Sequence, residues 1–289
     1  RHLPLDRRES KTDRAGFDSA GTLLLALALA AYALAMTMGR GSFGPLNLAL
    51  LLAAVLVGGL FVLVQARVAS PLIRLAAFRN AAWSASLDMN ALVSAVMMAT
   101  LVVGPFYLSR SLGLDAAVVG IVMSVGPIIS TVSGIPAGRL VDRLGAPVMV
   151  MAGLVAIAAG SLALSLLPAM FGIAGYIAAI AVLTPGYQLF QAANNTAVMV
   201  DVRADQRGVI SGLLSLSRNL GLITGASAMG ALFAIASAAT DIATAPPDSV
   251  AAGMQMTFAV AAALIVAAIV IAMGSRALAS RPSLPGEAS

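Results

Sequence analysis

Eight predominantly apolar runs of roughly 20 residues or more constrain this chain more than any other feature of its sequence. About 20 apolar residues is the length that an α-helix needs to cross the ~30 Å hydrocarbon core of a bilayer. We therefore predict an all-α integral membrane fold with eight transmembrane helices. The predicted spans are 19–38, 46–66, 83–106, 117–138, 148–167, 171–199, 208–236 and 251–273.

The composition supports a bilayer as the solvent of most of the chain. Hydrophobic residues make up 60% of the sequence and charged residues only 10%, whereas a soluble domain carries about 25% charged residues. A chain of this composition lacks the polar residues to cover its surface in water. It opens at Arg1 in a polar stretch, so we interpret it as part of a longer protein.

The basic residues predict the orientation of the spans. With the N-terminus in the cytoplasm, fourteen of the 17 Lys and Arg residues lie in cytoplasmic segments. Arg40 and Arg110 lie in external loops, and Arg218 lies inside a span. Cytoplasmic loops of membrane proteins carry this excess of positive charge. We expect a multi-pass protein of the inner (plasma) membrane with both termini of the chain cytoplasmic, in contact with lipid.

Several chemistries are excluded by residues that the chain lacks. It has no cysteine and one histidine, His2, so disulfides and thiolate metal sites are excluded. No nucleophile, histidine and carboxylate set can be assembled, and no glycine-rich loop ends in Lys-Ser/Thr to hold a phosphate. We predict no enzyme activity, no metal and no cofactor. The net charge of +5 follows from the topology, so we expect no nucleic acid partner.

The loops predict the organisation of the chain. The basic stretch QARVASPLIRLAAFRN, residues 65–80, separates a helical pair from a block of six helices. The predicted segments are a cytoplasmic loop (1–18), the helical pair (19–66), a cytoplasmic basic loop (67–82), a six-helix block (83–274) and a cytoplasmic tail (275–289).

One short polar stretch, GRLVDRLGAP at 138–147, joins the second and third spans of the six-helix block. Its residues Gly138, Asp142, Arg143 and Gly145 resemble the signature loop of the major facilitator superfamily, which lies at this place on the cytoplasmic side of a half-transporter. The sequence departs from the pattern at Ala146-Pro147, where the superfamily usually has basic residues. The resemblance implies a conformational latch, in which Asp142 bonds a helix N-terminus or a basic partner in one state.

The helical pair ahead of the block extends this resemblance. Its position, and the stretch RADQRGVISGLLSLSRNLGLITGASAMG at 203–230, resemble the fourteen-helix drug–proton antiporters of the superfamily. That family implies alternating access between two halves, driven by protons, with efflux of amphipathic small molecules. It also implies a partner outside this chain, an N-terminal half of six helices.

Two charged residues lie within predicted spans. Asp88 is the only acidic residue well inside one, and desolvation of an intramembrane carboxylate would let it exchange protons near neutral pH. Ser84, Ala91 and Ala95 share its helical face, which suits a close neighbouring helix or a cavity. The alternative is an interfacial Asp88 that reaches cytoplasmic water or caps a helix.

Arg218 lies eleven residues past Arg207, near the middle of its span, and needs a carboxylate, backbone carbonyls or an anionic substrate as partner. Asp88 is the only embedded acidic candidate. Ser211, Ser215, Gly221 and Gly225 fall on the same side of the helix. The alternative roles of Arg218 are a structural tie and snorkelling toward the cytoplasm. The spacing of the two glycines predicts close helix packing.

A polar stripe marks the span 171–199. Its side chains share one sector of about 120° at about 100° per residue, so we predict a wall of the substrate cavity. The alternative is a seam of hydrogen bonds between helices. Four methionines, Met97, Met98, Met199 and Met229, are further candidates for the pocket wall. The stripe consists of Thr184, Tyr187, Gln188, Gln191, Asn194 and Asn195.

These features together predict a secondary transporter that exports amphipathic small molecules or drugs in exchange for protons. Two alternatives remain at this point. One is a proton-coupled importer of another small solute, and the other is a truncated membrane protein that transports nothing.

Overall fold

The computed structural model of the protein describes residues 18–38, 44–68, 72–73, 78, 80–200, 202–203, 206–238 and 245–279. In these ranges the chain forms seven helices that are long and apolar enough to cross a membrane. The predicted all-α class is therefore confirmed. The helices are α1 (Ser19–Thr37), α2 (Pro45–Gln65), α3 (Ala81–Phe106, continued by a π-helical turn Tyr107–Ser111), α4 (Ala116–Leu144), α5 (Ala146–Met199), α6 (Arg207–Ala236) and α7 (Pro247–Ala279).

Polar residues that precede the apolar runs set where several helices begin. The side chains of Asp18, Asn80 and Asp115 accept hydrogen bonds from backbone N–H groups in the first turns of α1, α3 and α4. These N–H groups have no partner within the helix, so a capping side chain stabilises the helix start. The predicted spans begin within four residues of the observed helices. The predicted loop 1–18 lies outside the described residues except for Asp18.

The predicted spans 148–167 and 171–199 are joined in a single 54-residue element, α5, so the described helices number seven rather than eight. Gly172 interrupts this element with φ 55° and ψ −129°, a backbone conformation that favours glycine. The two arms of α5 fold back on each other at this residue. A Cβ atom placed on Gly160 would lie 2.7 Å from the Cα atom of Leu183.

The core lies where α3, α5, α6 and α7 meet. Val93 of α3, Leu154 and Leu183 of α5, and Phe258 and Ile265 of α7 are at most 1% exposed and belong to one continuous cluster. Helix α4 covers α5 from outside and is itself mostly exposed. Such long exposed apolar helices are the pattern of a bundle whose outer surface faces lipid.

Helices α1 and α2 form an antiparallel pair at the edge of the bundle. The buried Asn47 side chain donates a hydrogen bond to the Ala35 carbonyl at 2.7 Å, and the Gln65 amide donates one to Asp18. The pair contacts α6 through α1, where the Tyr32 and Thr224 hydroxyls share a hydrogen bond. Half of the predicted basic loop 67–82 lies outside the described residues.

Candidate functional site

Helices α3 and α6 pack in very close contact, and this contact fixes the position of the candidate site. A Cβ atom on Gly221 would lie 2.8 Å from Ala91 Cα, and one on Gly225 would lie 2.8 Å from the carbonyl carbon of Ala95. The predictions of close packing at Gly221 and Gly225 and of a helix neighbour beside Ala91 and Ala95 are confirmed. Only residues without a side chain beyond Cβ allow two backbones to approach in this way.

The Ser217 hydroxyl extends this contact by one turn, since it donates to the Leu87 carbonyl at 2.5 Å. The three contacts advance together along both helices, so α3 and α6 run parallel. We call this line of contact, formed by Leu87, Ala91 and Ala95 of α3 and by Ser217, Gly221 and Gly225 of α6, the α3–α6 seam.

A pocket of about 200 Å³ opens beside the α3–α6 seam. Helix α3, the second arm of α5 and the first turns of α6 supply its walls. Several of its lining side chains are exposed, so the pocket is open on one side. The lining residues are Asn90, Gln191, Asn195, Met199, Ser211, Leu214, Ser215 and Arg218.

Two hydrogen bonds hold the three walls of the pocket together. The Gln191 amide donates to Asn90 Oδ1 at 3.1 Å, and the Asn90 amide donates to the Leu214 carbonyl at 2.9 Å. Asn90 is only 1% exposed, and both bonds fix its orientation. The site is therefore lined by amides, hydroxyls and one guanidinium, with Met199 and Leu214 as apolar surfaces.

The predicted polar stripe divides between the pocket and the neighbouring helices. Gln191 and Asn195 line the pocket. Gln188 donates a hydrogen bond to the Ser130 carbonyl of α4 at 3.1 Å, and Asn194 donates one to the Ser86 carbonyl of α3 at 3.3 Å. Gln191 and Asn195 therefore fit the predicted cavity wall, whereas Gln188 and Asn194 fit the alternative of hydrogen bonds between helices.

The other two stripe residues lie outside the pocket wall. Thr184 is buried at 5% exposure, and Tyr187 packs half-buried against the core. Among the four candidate methionines, Met199 lines the pocket, whereas Met229 is buried in the core and Met97 packs against it. Met98 is half-buried on α3.

Arg218 lines the pocket together with Ser211 and Ser215, which the helical periodicity predicted to lie on its side. Its side chain is exposed, and no carboxylate of the described residues lies within 4.0 Å of it. Asp88 is also exposed and is absent from the pocket wall. Asp88, the embedded acidic candidate for the partner of Arg218, therefore does not pair with it in this structure.

Helix geometry explains why these two charges do not pair. Leu87 and Ser217 mark the line of contact, and each following residue is rotated by about 100° in the same sense on the two parallel helices. Because the helices face each other, Asp88 and Arg218 emerge on opposite sides of the α3–α6 seam. Asn90 is rotated about 60° the other way from Leu87 and so shares the side of Arg218.

Asn90 is the polar pocket residue that the sequence did not predict. It is an amide in an otherwise apolar run, two residues after Asp88. An intramembrane amide on α3 is the same kind of signal that singled out the stripe on α5.

The motif residues lie mostly within a helix rather than a loop. Gly138, Asp142 and Arg143 belong to the last turns of α4, which continues to Leu144 beyond the predicted span end at 138. Gly145 alone makes the turn, with φ 86°, and its N–H donates to the Val141 carbonyl at 2.9 Å. The prediction of a motif loop is wrong in this respect, because α5 begins at the very next residue.

The side chains of the motif are available for contacts outside the described chain. Asp142 and Arg143 are both exposed, and within the described residues neither side chain makes a hydrogen bond or an ion pair. Arg143 lies in the last turn of α4, where a positive charge is favoured by the helix dipole. Asp142 gains nothing from that dipole, so its position there suits a partner elsewhere.

The described residues contain no group of three or more His, Cys, Asp or Glu side chains that is placed to hold a metal ion. The candidate site is therefore a polar pocket without an evident inorganic centre in this part of the chain.

Three curated proteins show which sequences this chain is similar to. It is 28% identical over 219 residues to the uncharacterized transporter YebQ of Escherichia coli, covering 75% of this chain and 48% of YebQ. It is 26% identical over 176 residues to the multidrug efflux pump LfrA of Mycolicibacterium smegmatis, covering 61% of this chain and 35% of LfrA. It is 26% identical over 233 residues to the quinolone resistance protein NorB of Staphylococcus aureus, covering 79% of this chain and 50% of NorB. The chain thus spans at most half the length of these relatives.

The fold is similar to that of a solved transporter. The crystal structure of a mutant of the nucleoside transporter NupG aligns with 87% of this chain and 65% of its own, with a TM-score of 0.57 and 18% sequence identity. The sequence profile of the Major Facilitator Superfamily matches residues 18–226 and 89–287. The chain is therefore a multi-pass membrane protein that belongs to the Major Facilitator Superfamily.

Proposed function

We propose that this chain is the C-terminal portion of a secondary active transporter that exports amphipathic small molecules in exchange for protons. The observation that carries the proposal is the pocket beside the α3–α6 seam. Three helices of a lipid-facing bundle turn amides, hydroxyls and a guanidinium toward it. Polar side chains inside a membrane are expensive, so they occur where they meet a cavity or a substrate.

The open side of the pocket supports the presence of a further half of the transporter that covers it in the intact protein. Asn195, Ser211, Ser215 and Arg218 are exposed although they lie in or beside membrane helices. In transporters built from two halves, the substrate site lies between the halves near the middle of the bilayer. We infer that an N-terminal half of six helices covers this face in the intact protein, and that the latch residues Asp142 and Arg143 contact it in one state.

The proposed topology has eight crossings and an inner (plasma) membrane location. The two arms of α5, separated at Gly172, each have the length to cross once. Eight crossings place both ends of the chain on one side, and the distribution of Lys and Arg assigns that side to the cytoplasm. On this proposal α1–α2 is a peripheral pair and 83–274 is the six-helix half.

The similarity to LfrA and NorB supports efflux and suggests the compound for the test. The intact protein that contains this chain is reconstituted in liposomes with a proton gradient and a fluorescent quinolone. We expect quinolone movement linked to opposite proton movement. Gln191→Ala removes one side chain of the pocket wall, together with the hydrogen bond from Gln191 to Asn90. This variant should slow transport at least severalfold. Gln255→Ala, an exposed glutamine of α7 outside the pocket, is the matched control and should transport normally.

The outcomes separate the alternatives. Quinolone and protons that move in the same direction would indicate an importer. A protein that moves neither a quinolone nor, in a second assay, a cationic dye would contradict drug export and favour a non-transporting product. Equal rates for the Gln191→Ala and Gln255→Ala variants would contradict the assignment of the pocket.

Asp88 remains our candidate for proton exchange, by itself rather than as the partner of Arg218. It is an exposed carboxylate, and the α3–α6 seam lies between it and Arg218. Asp88→Asn should abolish the quinolone-linked proton movement while quinolone binding persists. Unchanged proton movement would refute this role.

A further inference from the structure

The charge in the pocket wall is unbalanced within the described residues. Arg218 contributes a guanidinium, and none of the other seven lining residues is acidic. Asp88, at the same level of the bundle, points to the other side of the α3–α6 seam. A cation inside a membrane protein pairs with a carboxylate, with backbone carbonyls or with a bound anion. No hydrogen bond or ion pair occupies Arg218 within the described part of the chain.

Two serine residues line the pocket together with this guanidinium. Ser215 and Ser211 lie one and two turns before Arg218 on the same side of α6, and both residues line the pocket. The carbonyl oxygen of Asn90 is already occupied by the Gln191 amide. The wall therefore offers a charged fork and two hydroxyls, the donor set that a carboxylate accepts in short, charge-assisted bonds.

The size of the pocket limits how much of a ligand it holds. About 200 Å³ is less than the roughly 300–1,000 Å³ of a complete drug site. It accommodates one polar group with the adjoining part of a ring, against which Met199 and Leu214 supply apolar surface. The remainder of an amphipathic molecule would extend through the open side of the pocket.

We propose that this pocket binds the carboxylate of an anionic or zwitterionic amphipathic substrate, and that Arg218 is the residue that selects for that group. The inference rests on the proposed transport function, because it names the substrate class of the same pocket. It predicts that esterifying the carboxylate of a substrate removes the group that Arg218 binds and leaves the other contacts of the substrate unchanged.

A matched pair of probes tests this assignment: a fluorescent quinolone carboxylic acid and its ethyl ester. Binding of each is measured by fluorescence titration to the intact protein in lipid nanodiscs. Arg218→Gln should weaken binding of the acid about tenfold or more, since a hydrogen-bonded charge is lost. Binding of the ester should change less than twofold, which also shows that the variant is folded. Arg218→Lys should retain part of the affinity for the acid.

A control variant and the remaining outcomes make the test decisive. Arg276→Gln removes an exposed arginine of α7 outside the pocket and should leave both affinities unchanged. If Arg218→Gln weakens acid and ester equally, or affects neither, the carboxylate assignment is wrong while the proposed transport function stands. If the wild-type protein binds neither probe, this assignment fails, and an independent transport assay with a cationic dye then decides whether the transport function fails with it.

Discussion

The close contact at Gly221 leads to a quantitative prediction for the α3–α6 seam. Gly221→Ala adds one methyl group that would lie 2.8 Å from Ala91 Cα, whereas ordinary contacts of a Cβ atom are 3.4–4 Å. Backbone of α3 cannot move aside as a flexible side chain can. The two helices must therefore separate locally by something on the order of 1 Å, and packing strain of this kind costs about 1–3 kcal/mol.

The substitution also has a favourable effect that must be removed from the measurement. Alanine is a better helix former than glycine by about 1 kcal/mol. Gly212→Ala lies on the same helix, outside the pocket wall, and its added Cβ has no neighbouring atom within 4 Å. It gains the same helix propensity without the clash. The difference in stability between the two variants therefore reports the clash itself.

The assay is thermal unfolding of the purified proteins in one detergent, followed by size-exclusion chromatography. One kcal/mol corresponds to roughly 2–4 °C for a domain of this size, so Gly221→Ala should melt several degrees below Gly212→Ala. Because Ser217, Gly221 and Asn90 adjoin the same seam, the variant should also transport more slowly. Equal melting temperatures for the two variants would refute the claim that backbone contact at Gly221 holds α3 and α6 together.

Three further predictions concern other parts of the chain. Gly145→Ala places a side chain on a backbone with φ 86°, so it should cost about 1–2 kcal/mol of stability and lower the melting temperature. Gly138 is helical with open space around it, so Gly138→Ala should be neutral or stabilising. A lower melting temperature for Gly138→Ala than for Gly145→Ala would contradict the turn at Gly145. The buried Ser94 hydroxyl has no hydrogen-bond partner among the described residues, so Ser94→Ala should keep or raise the melting temperature, and a large drop would mean that the hydroxyl is satisfied. Hydrogen bonds from the Gly21 N–H and the Gln65 amide lower the pKa of Asp18 from its ordinary 3.8. The carboxylate therefore stabilises the fold above that pH, and this contribution is lost as the pH falls through the lowered pKa. The difference in melting temperature between wild type and Asp18→Asn should shrink below pH 3.8, and a difference that stays constant would contradict this role.

The helices of this fold follow from the sequence because apolar length and capping residues act locally. Spans predicted from hydropathy agree with α1, α2 and α6 to within a residue at either end. The largest differences are at α7, which begins four residues before and ends six residues after its predicted span, and at α4, which continues through the polar motif to Leu144. Its charged residues form good helical turns in water beyond the apolar core, and only Gly145 ends them.

The site was predictable only as far as helical periodicity reaches. Periodicity placed Ser211, Ser215 and Arg218 on one side of α6, and the pocket contains all three. It could not tell that Asp88 and Arg218 emerge on opposite sides of the α3–α6 seam, because that depends on which residues of two helices meet. The division of the polar stripe has the same cause, since Gln188 faces α4 whereas Gln191 faces Asn90.

The central claim is that the pocket beside the α3–α6 seam is where the transported molecule binds. The chain contains no cysteine, so Ser215→Cys introduces a single thiol of this chain into the pocket wall, and Arg276→Cys introduces one outside it. The rate of maleimide labelling of each is measured with and without a saturating quinolone in the intact, membrane-embedded protein. The account predicts that the quinolone slows labelling at position 215 severalfold and leaves position 276 unchanged. Equal labelling at position 215 with and without a quinolone that the protein transports would contradict it.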